Sequence, residues 1–146
     1  MSKTALSVEL HIDGGARGNP GPAGAGIVIT RASDGQVLYQ AGLYLGESTN
    51  NQAEYRSLLE GLKAAAKLKA TQVEVISDSE LLVRQMTGKY RVRNEGLLTL
   101  FEEALLLQRK FARCTFRHVR RELNKEADRL VNQAIDLRRD VEGDLH

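Results

Sequence analysis

The sequence predicts an α/β domain built on a five-stranded mixed sheet: an antiparallel meander of three strands plus two parallel strands, flanked by helices. Two observations carry that expectation. Three strand-like runs between Leu6 and Tyr44, separated by turn residues, come before any helical pattern. Each of the next two strand-like runs is then reached through a helical one, which is how a chain returns to lie parallel to an earlier strand.

The first strand rests on a two-residue period. Leu6, Val8, Leu10 and Ile12 alternate with Ser7, Glu9, His11 and Asp13. Asp13 is expected at its end, followed by a loop carrying Gly14, Gly15, Gly18, Gly21, Gly24 and Gly26 with Pro20 and Pro22, then a second strand from Gly24 to Thr30. Because the glycines join strand to strand, a dinucleotide fingerprint and a phosphate-cradling P-loop are excluded; both need a helix to open at the glycines. What remains is a carboxylate beside nearly bare backbone, against which a bulky polyanion could lie. Ser33-Asp34-Gly35-Gln36 is a turn signal, and Val37 to Tyr44 is the third strand.

Thr49 with Gln52 three residues later is a capping box that opens a helix to about Lys69, rich in Leu and Ala. Thr71 to Ser77 is a β-branched strand. A short helix follows from Glu80 to about Met86, ended by Gly88, and an amphipathic helix runs from Glu95 to Lys110. Phe111 to Val119 reads as the fifth strand and Asn124 to Leu137 as the closing helix. Residues 1–138 are expected to form one domain and residues 139–146, of mixed charge and no period, a disordered tail.

The chain has 146 residues, 42% hydrophobic and 27% charged, which suits one domain with a real core. No run approaches a membrane span and the N-terminus lacks a signal-peptide shape, so a cytoplasmic protein without membrane contact is expected. The single cysteine, Cys114, reads as a buried thiol. Charge is uneven: residues 84–125 hold eleven Lys or Arg against four Glu, a net of +7 in a chain whose total is +2. That polarity suits a partner made of phosphates, although a merely solvated basic face would look the same.

Four carboxylates are placed where solvation does not explain them. Glu54, in the first turn of the long helix, shares a face with Leu58, Gly61, Leu62 and Ala65, the face that must pack on the sheet. Asp78 follows a strand at its carboxyl end, where α/β proteins place ligands. Asp128 lies one turn into the last helix on the side of Val131 and Ile135, and Asp13 closes the first strand. Asp78 could be only a helix cap, Asp128 a dipole partner and Asp13 a turn former. Glu54 is the hardest to set aside, since an unpaired carboxylate on an apolar face is costly. If the four converge, divalent cations are the natural counter-charge. Oxygen ligands without Cys or His select hard ions, Mg²⁺ with Mn²⁺ as substitute. Two such ions suit phosphodiester hydrolysis, and no nucleophilic triad, Cys/His pair or CxxC is present to suggest covalent catalysis.

In this order, IDGGARGNPGPAGAG, TNNQAEY, SDSELL and NKEADRLVN closely resemble the conserved blocks of type 1 ribonuclease H, over about residues 6 to 137. The resemblance implies the ribonuclease H-like fold and an endonuclease cutting the RNA strand of RNA/DNA hybrids, leaving 5′-phosphate and 3′-hydroxyl ends. It implies that Asp13, Glu54, Asp78 and Asp128 are the catalytic, metal-binding acids, with two Mg²⁺ per site when substrate is bound. It also implies contacts to nucleic acid from Gly14, Gly15, Asn19, Thr49, Asn50, Asn51 and Gln52. Amide side chains and bared backbone can hydrogen-bond ribose 2′-hydroxyls, the group that separates RNA from DNA. Arg91 and Arg93, together with Lys89, Arg120 and Arg121, are the expected phosphate contacts.

Two features depart from many relatives. The basic, tryptophan-bearing handle between the second and third helices is replaced by a short TGKYRVRNEG, as in the handle-less archaeal and bacterial branch. The mobile loop with its histidine is replaced by a compact connection; His118 falls in the strand, and Glu122 is the one acid left in the link. A monomer is expected. The competing readings are a catalytically silent hybrid-binding or RNA-binding domain, and a transposase or junction resolvase on the same fold.

Overall fold

A computed structural model describes residues 5–142. Its elements in chain order are β1 (Leu6–Ala16), β2 (Gly21–Arg31), β3 (Val37–Ser48), α1 (Asn50–Lys67), β4 (Ala70–Ser77), α2 (Glu80–Met86), α3 (Glu95–Gln108), β5 (Arg113–His118), a 3₁₀ turn at Arg121–Leu123, α4 (Lys125–Leu137) and β6 (Val141–Glu142). The α/β class and the mixed sheet are as expected, but the sheet has six strands, in the order β5-β4-β1-β2-β3-β6. β1, β2 and β3 form the meander, and β4 and β5 run parallel to β1.

The sixth strand corrects the expected tail. Val141 and Glu142 pair antiparallel with Gly42 and Ala41, Val141 is buried, and Asp140 Oδ1 accepts a hydrogen bond from the Tyr44 amide at 2.8 Å. Two residues are too few to show a period, so composition alone could not reveal them. Residues 143–146 of the expected tail lie outside the described residues.

The glycine-rich stretch is also corrected. β1 continues three residues past Asp13, and Gly14, Gly15 and Ala16 pair with Ala25, Gly24 and Ala23. The reversal is confined to residues 17–20, and Asp13 therefore sits within a strand rather than at its end. Three of the six glycines in that stretch, Gly14, Gly24 and Gly26, serve packing between elements, as does Gly42 on β3. A methyl group at Gly26 or Gly42 would collide with the carbonyl oxygens of Ala127 and Leu130 in α4, and one at Gly24 would lie 2.9 Å from that of Val131. The final helix thus rests its backbone directly on a glycine-paved sheet. A methyl group at Gly14 would collide with the backbone of Ala53 in α1.

The principal core lies on one face of the sheet, where Leu10, Ile12, Ile27, Ile29, Val73 and Val75 meet Leu58, Leu62 and Leu82. Leu58, Gly61, Leu62 and Ala65 are buried on α1, as its periodicity requires. The opposite face is covered by α4, with a small cluster of Val28, Leu130 and Val141. Cys114, half-buried on β5, has its thiol pushed up to about 11 by burial, which keeps it protonated and unreactive.

Candidate active site

The site forms where both faces meet the carboxyl ends of β1 and β4. β1 supplies Asp13, which is buried. The first turn of α1 supplies Glu54, whose Oε1 accepts a hydrogen bond from the Gly14 amide at 2.9 Å. Because Gly14 carries no side chain, α1 approaches closely enough for that bond. Asp78 follows β4; it is not the cap of α2, because Ser79 fills that place and accepts from the Leu82 amide at 3.2 Å. Each of Asp13, Glu54 and Asp78 offers a carboxylate oxygen within 4.8 Å of the others.

Asp128 arrives from the far side on α4, and its placement depends on Asn124. The Asn124 side chain is buried and donates to the Ile12 carbonyl at 2.7 Å, bolting the start of α4 to the strand residue before Asp13. Asp128 comes near enough to Asp13 to raise the Asp13 carboxyl, while its Oδ1 lies 3.7 Å from Arg121 Nη2. All four acids line one cavity of about 430 Å³, floored by Gly14, Gly15 and Ala16 and walled by Asn50, Asn51, Val131 and Ile135.

The electrostatics are those of a crowded anionic site. Burial, then the charge of Asp78 and the contact with Asp128, push the Asp13 carboxyl up to about 8. Burial and then the charges of Asp13 and Asp78 hold Glu54 well above the usual carboxylate range. Burial also raises Asp78, opposed by the nearby Arg121 guanidinium. The donors are carboxylate oxygens alone, and the repulsion among them is the strain a hard divalent cation relieves; the residues fit such ions.

The remaining predicted residues fall into four groups, with Asn50 in two of them. Gly14, Gly15, Asn50 and Asn51 stand in the cavity with the acids. Asn19 and Asn50 lock the β1–β2 hairpin to α1: Asn50 Oδ1 accepts from the Ala16 amide at 2.7 Å, and Asn19 Oδ1 accepts from the Asn50 amide at 3.1 Å. Thr49 and Gln52 make the expected reciprocal capping box, each bond 3.1 Å. Arg91 and Arg93 are exposed in the link between α2 and α3, flanking Val92, which anchors that link in the core. That link enters α3 beside the start of α1, where a methyl group on Gly96 would lie 3.3 Å from Gln52 Nε2.

Two residues escaped the sequence reading in whole or part. Asn124 was only a helix start, and Arg121 only a phosphate contact beyond the site. Their directions are set by the irregular 3₁₀ turn, where no period applies. Glu122, the one acid of the link, turns instead into a separate side groove with His11 and Val37. His118 pairs with Ser77 at the end of β5, is exposed and does not line the cavity with the acids. His118→Ala is accordingly expected to keep its maximal rate within about threefold of the parent, far short of the 10²–10⁴-fold typical of general acid–base loss. Initial rates at saturating Mg²⁺ over several pH values check this.

A family model described as reverse transcriptase-like matches residues 11–134, most of the chain. The bifunctional protein Rv2228c of Mycobacterium tuberculosis is 45% identical over 131 residues, which are 90% of this chain and 36% of that protein. The ribonuclease H domain of Rv2228c, solved as a fusion, superimposes with a TM-score of 0.88 at 44% identity, over 91% of this chain and 96% of that one. The chain belongs to the type 1 ribonuclease H family. A second member, ribonuclease HI of the archaeon Halobacterium salinarum, is 38% identical over 88% of this chain and 64% of its own length. A third, LC11-RNase H1, was solved in complex with an RNA/DNA hybrid; it has a TM-score of 0.83 and 40% identity, over 91% of this chain and 98% of that one. Relative to these members the chain spans about a third of the length of Rv2228c. Between α2 and α3 it has only residues 87–94, with no handle helix there.

Proposed function

We propose that the chain is an endoribonuclease that hydrolyses the RNA strand of RNA/DNA hybrids, leaving 5′-phosphate and 3′-hydroxyl ends. The convergence of four carboxylates, from β1, α1, β4 and α4, beside a side-chain-free strand carries this reading. Asp13, Glu54, Asp78 and Asp128 hold two divalent cations, Mg²⁺ by preference and Mn²⁺ as substitute. Bound there, the cations supply charge neutralisation and an activated water to the scissile phosphate. Asp13 and Glu54, whose carboxyls burial raises most, must be ionised to hold cations, so loading is favoured by rising pH.

The protein's own groups orient the strand. Gly15 leaves room for the sugar–phosphate backbone over the floor. The Gly14 and Gly15 backbone, with Asn19, Thr49, Asn50, Asn51 and Gln52, recognises the 2′-hydroxyl face and adjacent phosphates. We take the functional unit to be one monomeric domain acting in the cytoplasm, reaching through β6 rather than stopping at residue 138. No described helix is long and apolar enough to cross a membrane.

Cleavage of a labelled hybrid with Mg²⁺, run beside duplex RNA and duplex DNA, tests the reading. Cutting confined to the RNA of the hybrid is expected. Binding without cleavage would mean a silent hybrid-binding domain, and cleavage of duplex DNA a different nuclease on this fold. Arg91 and Arg93 are assigned to phosphates, each contributing about 0.9 to the slope of log affinity against log salt on B-form DNA. The double variant Arg91→Ala/Arg93→Ala is expected to bind more weakly and to flatten that slope by between one and two. An unchanged slope in a salt titration would move the nucleic acid to another face.

A further inference from the structure

Two cationic side chains, Arg121 and Arg17, line the cavity that holds the acids. Arg121 sits at the acid end against Asp128. Arg17 stands at the other end, and two independent rulers give its distance. Along β1, Asp13 and Gly15 face the same way, and Arg17 is the first residue past the strand's end at Ala16, four residues from Asp13 and at most about 13 Å away at the usual strand rise. Along α4, Arg17 meets Asp136, two turns beyond Asp128, about 12 Å at the helical rise. Between carboxylate and guanidinium lies Gly15, which leaves the floor bare.

Arg17 is held for this position. Its amide closes the hairpin on the Pro22 carbonyl at 2.8 Å. Its Nη1 lies 2.6 Å from Asp136 Oδ1, and its Nη2 donates to Asn132 Oδ1 at 3.3 Å and to the Asn132 carbonyl at 3.5 Å. Yet both partners of the ion pair are about half exposed. A pair so solvated is weak, and a phosphate, with more charge and a geometry matched to the guanidinium fork, competes well with Asp136.

We propose that Arg17 is a substrate-binding residue that takes one phosphate of the cut RNA strand, a few nucleotides to one side of the scissile bond, exchanging Asp136 for it. The proposal rests on the hydrolase reading above. It assigns Arg17 to one charged linkage on one side of the cut, with Asp136 as a competitor for the same guanidinium.

The test uses hybrids whose RNA strand carries a single uncharged methylphosphonate at successive linkages on either side of a fixed cut. For the parent, KM is expected to rise when one particular linkage on one side is neutral. Arg17→Gln is expected to raise KM on the fully charged hybrid roughly tenfold, with kcat near the parent value, and to be indifferent to the neutral linkage at that position. Asp136→Asn, which frees the guanidinium, is expected to leave KM unchanged or lower it. If Arg17 only ties the hairpin to α4, Asp136→Asn will reproduce the rise seen with Arg17→Gln, and the proposal fails. A KM for Arg17→Gln equal to the parent's, with cleavage intact, overturns the proposal alone. A parent that cuts no hybrid overturns the hydrolase reading and this proposal with it.

Discussion

Asp13→Asn is expected to lose activity by roughly 10³-fold or more while melting at a higher temperature than the parent when divalent cations are removed. The activity loss follows from taking away the carboxylate that touches the other acids of the site. The gain in stability follows from the sign of its titration. Folding raises the Asp13 carboxyl to about 8, so between pH 4 and 8 the folded state binds more protons than the unfolded one. Under that condition stability falls as pH rises. An amide cannot ionise, so the variant escapes the loss. The difference should be small near pH 4, grow through neutrality and level off above about pH 8. On the order of 1–3 kcal/mol is at stake near neutrality, a shift in Tm of roughly 3–10 °C for a domain this size. Melting curves in a chelator across that range measure it, and adding Mg²⁺ should close the gap by stabilising only the parent. An active Asp13→Asn enzyme, or a variant less stable at every pH, would remove Asp13 from the site.

The second large effect is on folding. Gly26→Ala is expected to destabilise the protein by roughly 3 kcal/mol or more, at the severe end of overpacking, and to abolish cleavage in whatever remains folded. The added methyl meets the Ala127 carbonyl oxygen, which is helix backbone and cannot rotate aside. Relief requires α4 to lift from the sheet, and Asp128 is the next residue along. Gly15→Ala provides the contrast, because a methyl there makes only ordinary contacts, 3.9 Å to Asn50 Oδ1 and 4.0 Å to Val131. That variant should melt like the parent and bind hybrid less tightly. Denaturant unfolding of both separates packing glycines from site glycines; a Gly26→Ala protein of parental stability would show that α4 is not seated as described.

That contrast marks the limit of what composition reveals. The alternation in β1 and the apolar face around Glu54 placed the acids correctly on strand and helix, because burying a carboxylate violates a strong physical rule and so stands out. The glycines beside them were misread as a loop. Glycine is rare in strands, and local preference cannot show that a helix backbone over a hundred residues away needs the space. Asn124 and Arg121 were legible as residue types but not as positions, since one turn of 3₁₀ helix erases any periodicity. Thr49 and Gln52 were legible in full, because the capping box is a local bond pattern.

The bolt from Asn124 to the Ile12 carbonyl has a temporal meaning as well. It joins residues 112 apart in sequence and ties down the start of the helix that carries Asp128. Contacts of such long range are slow to form, because the intervening chain must first be brought together. A chain emerging from the ribosome can build the meander, α1 and β4, and so gather Asp13, Glu54 and Asp78, before α4 has been synthesised. The fourth carboxylate then arrives in a single docking step. On the proposed function, a chain that lacks α4 is expected to be silent as a nuclease, and activity is expected to switch on with that helix rather than to grow by degrees.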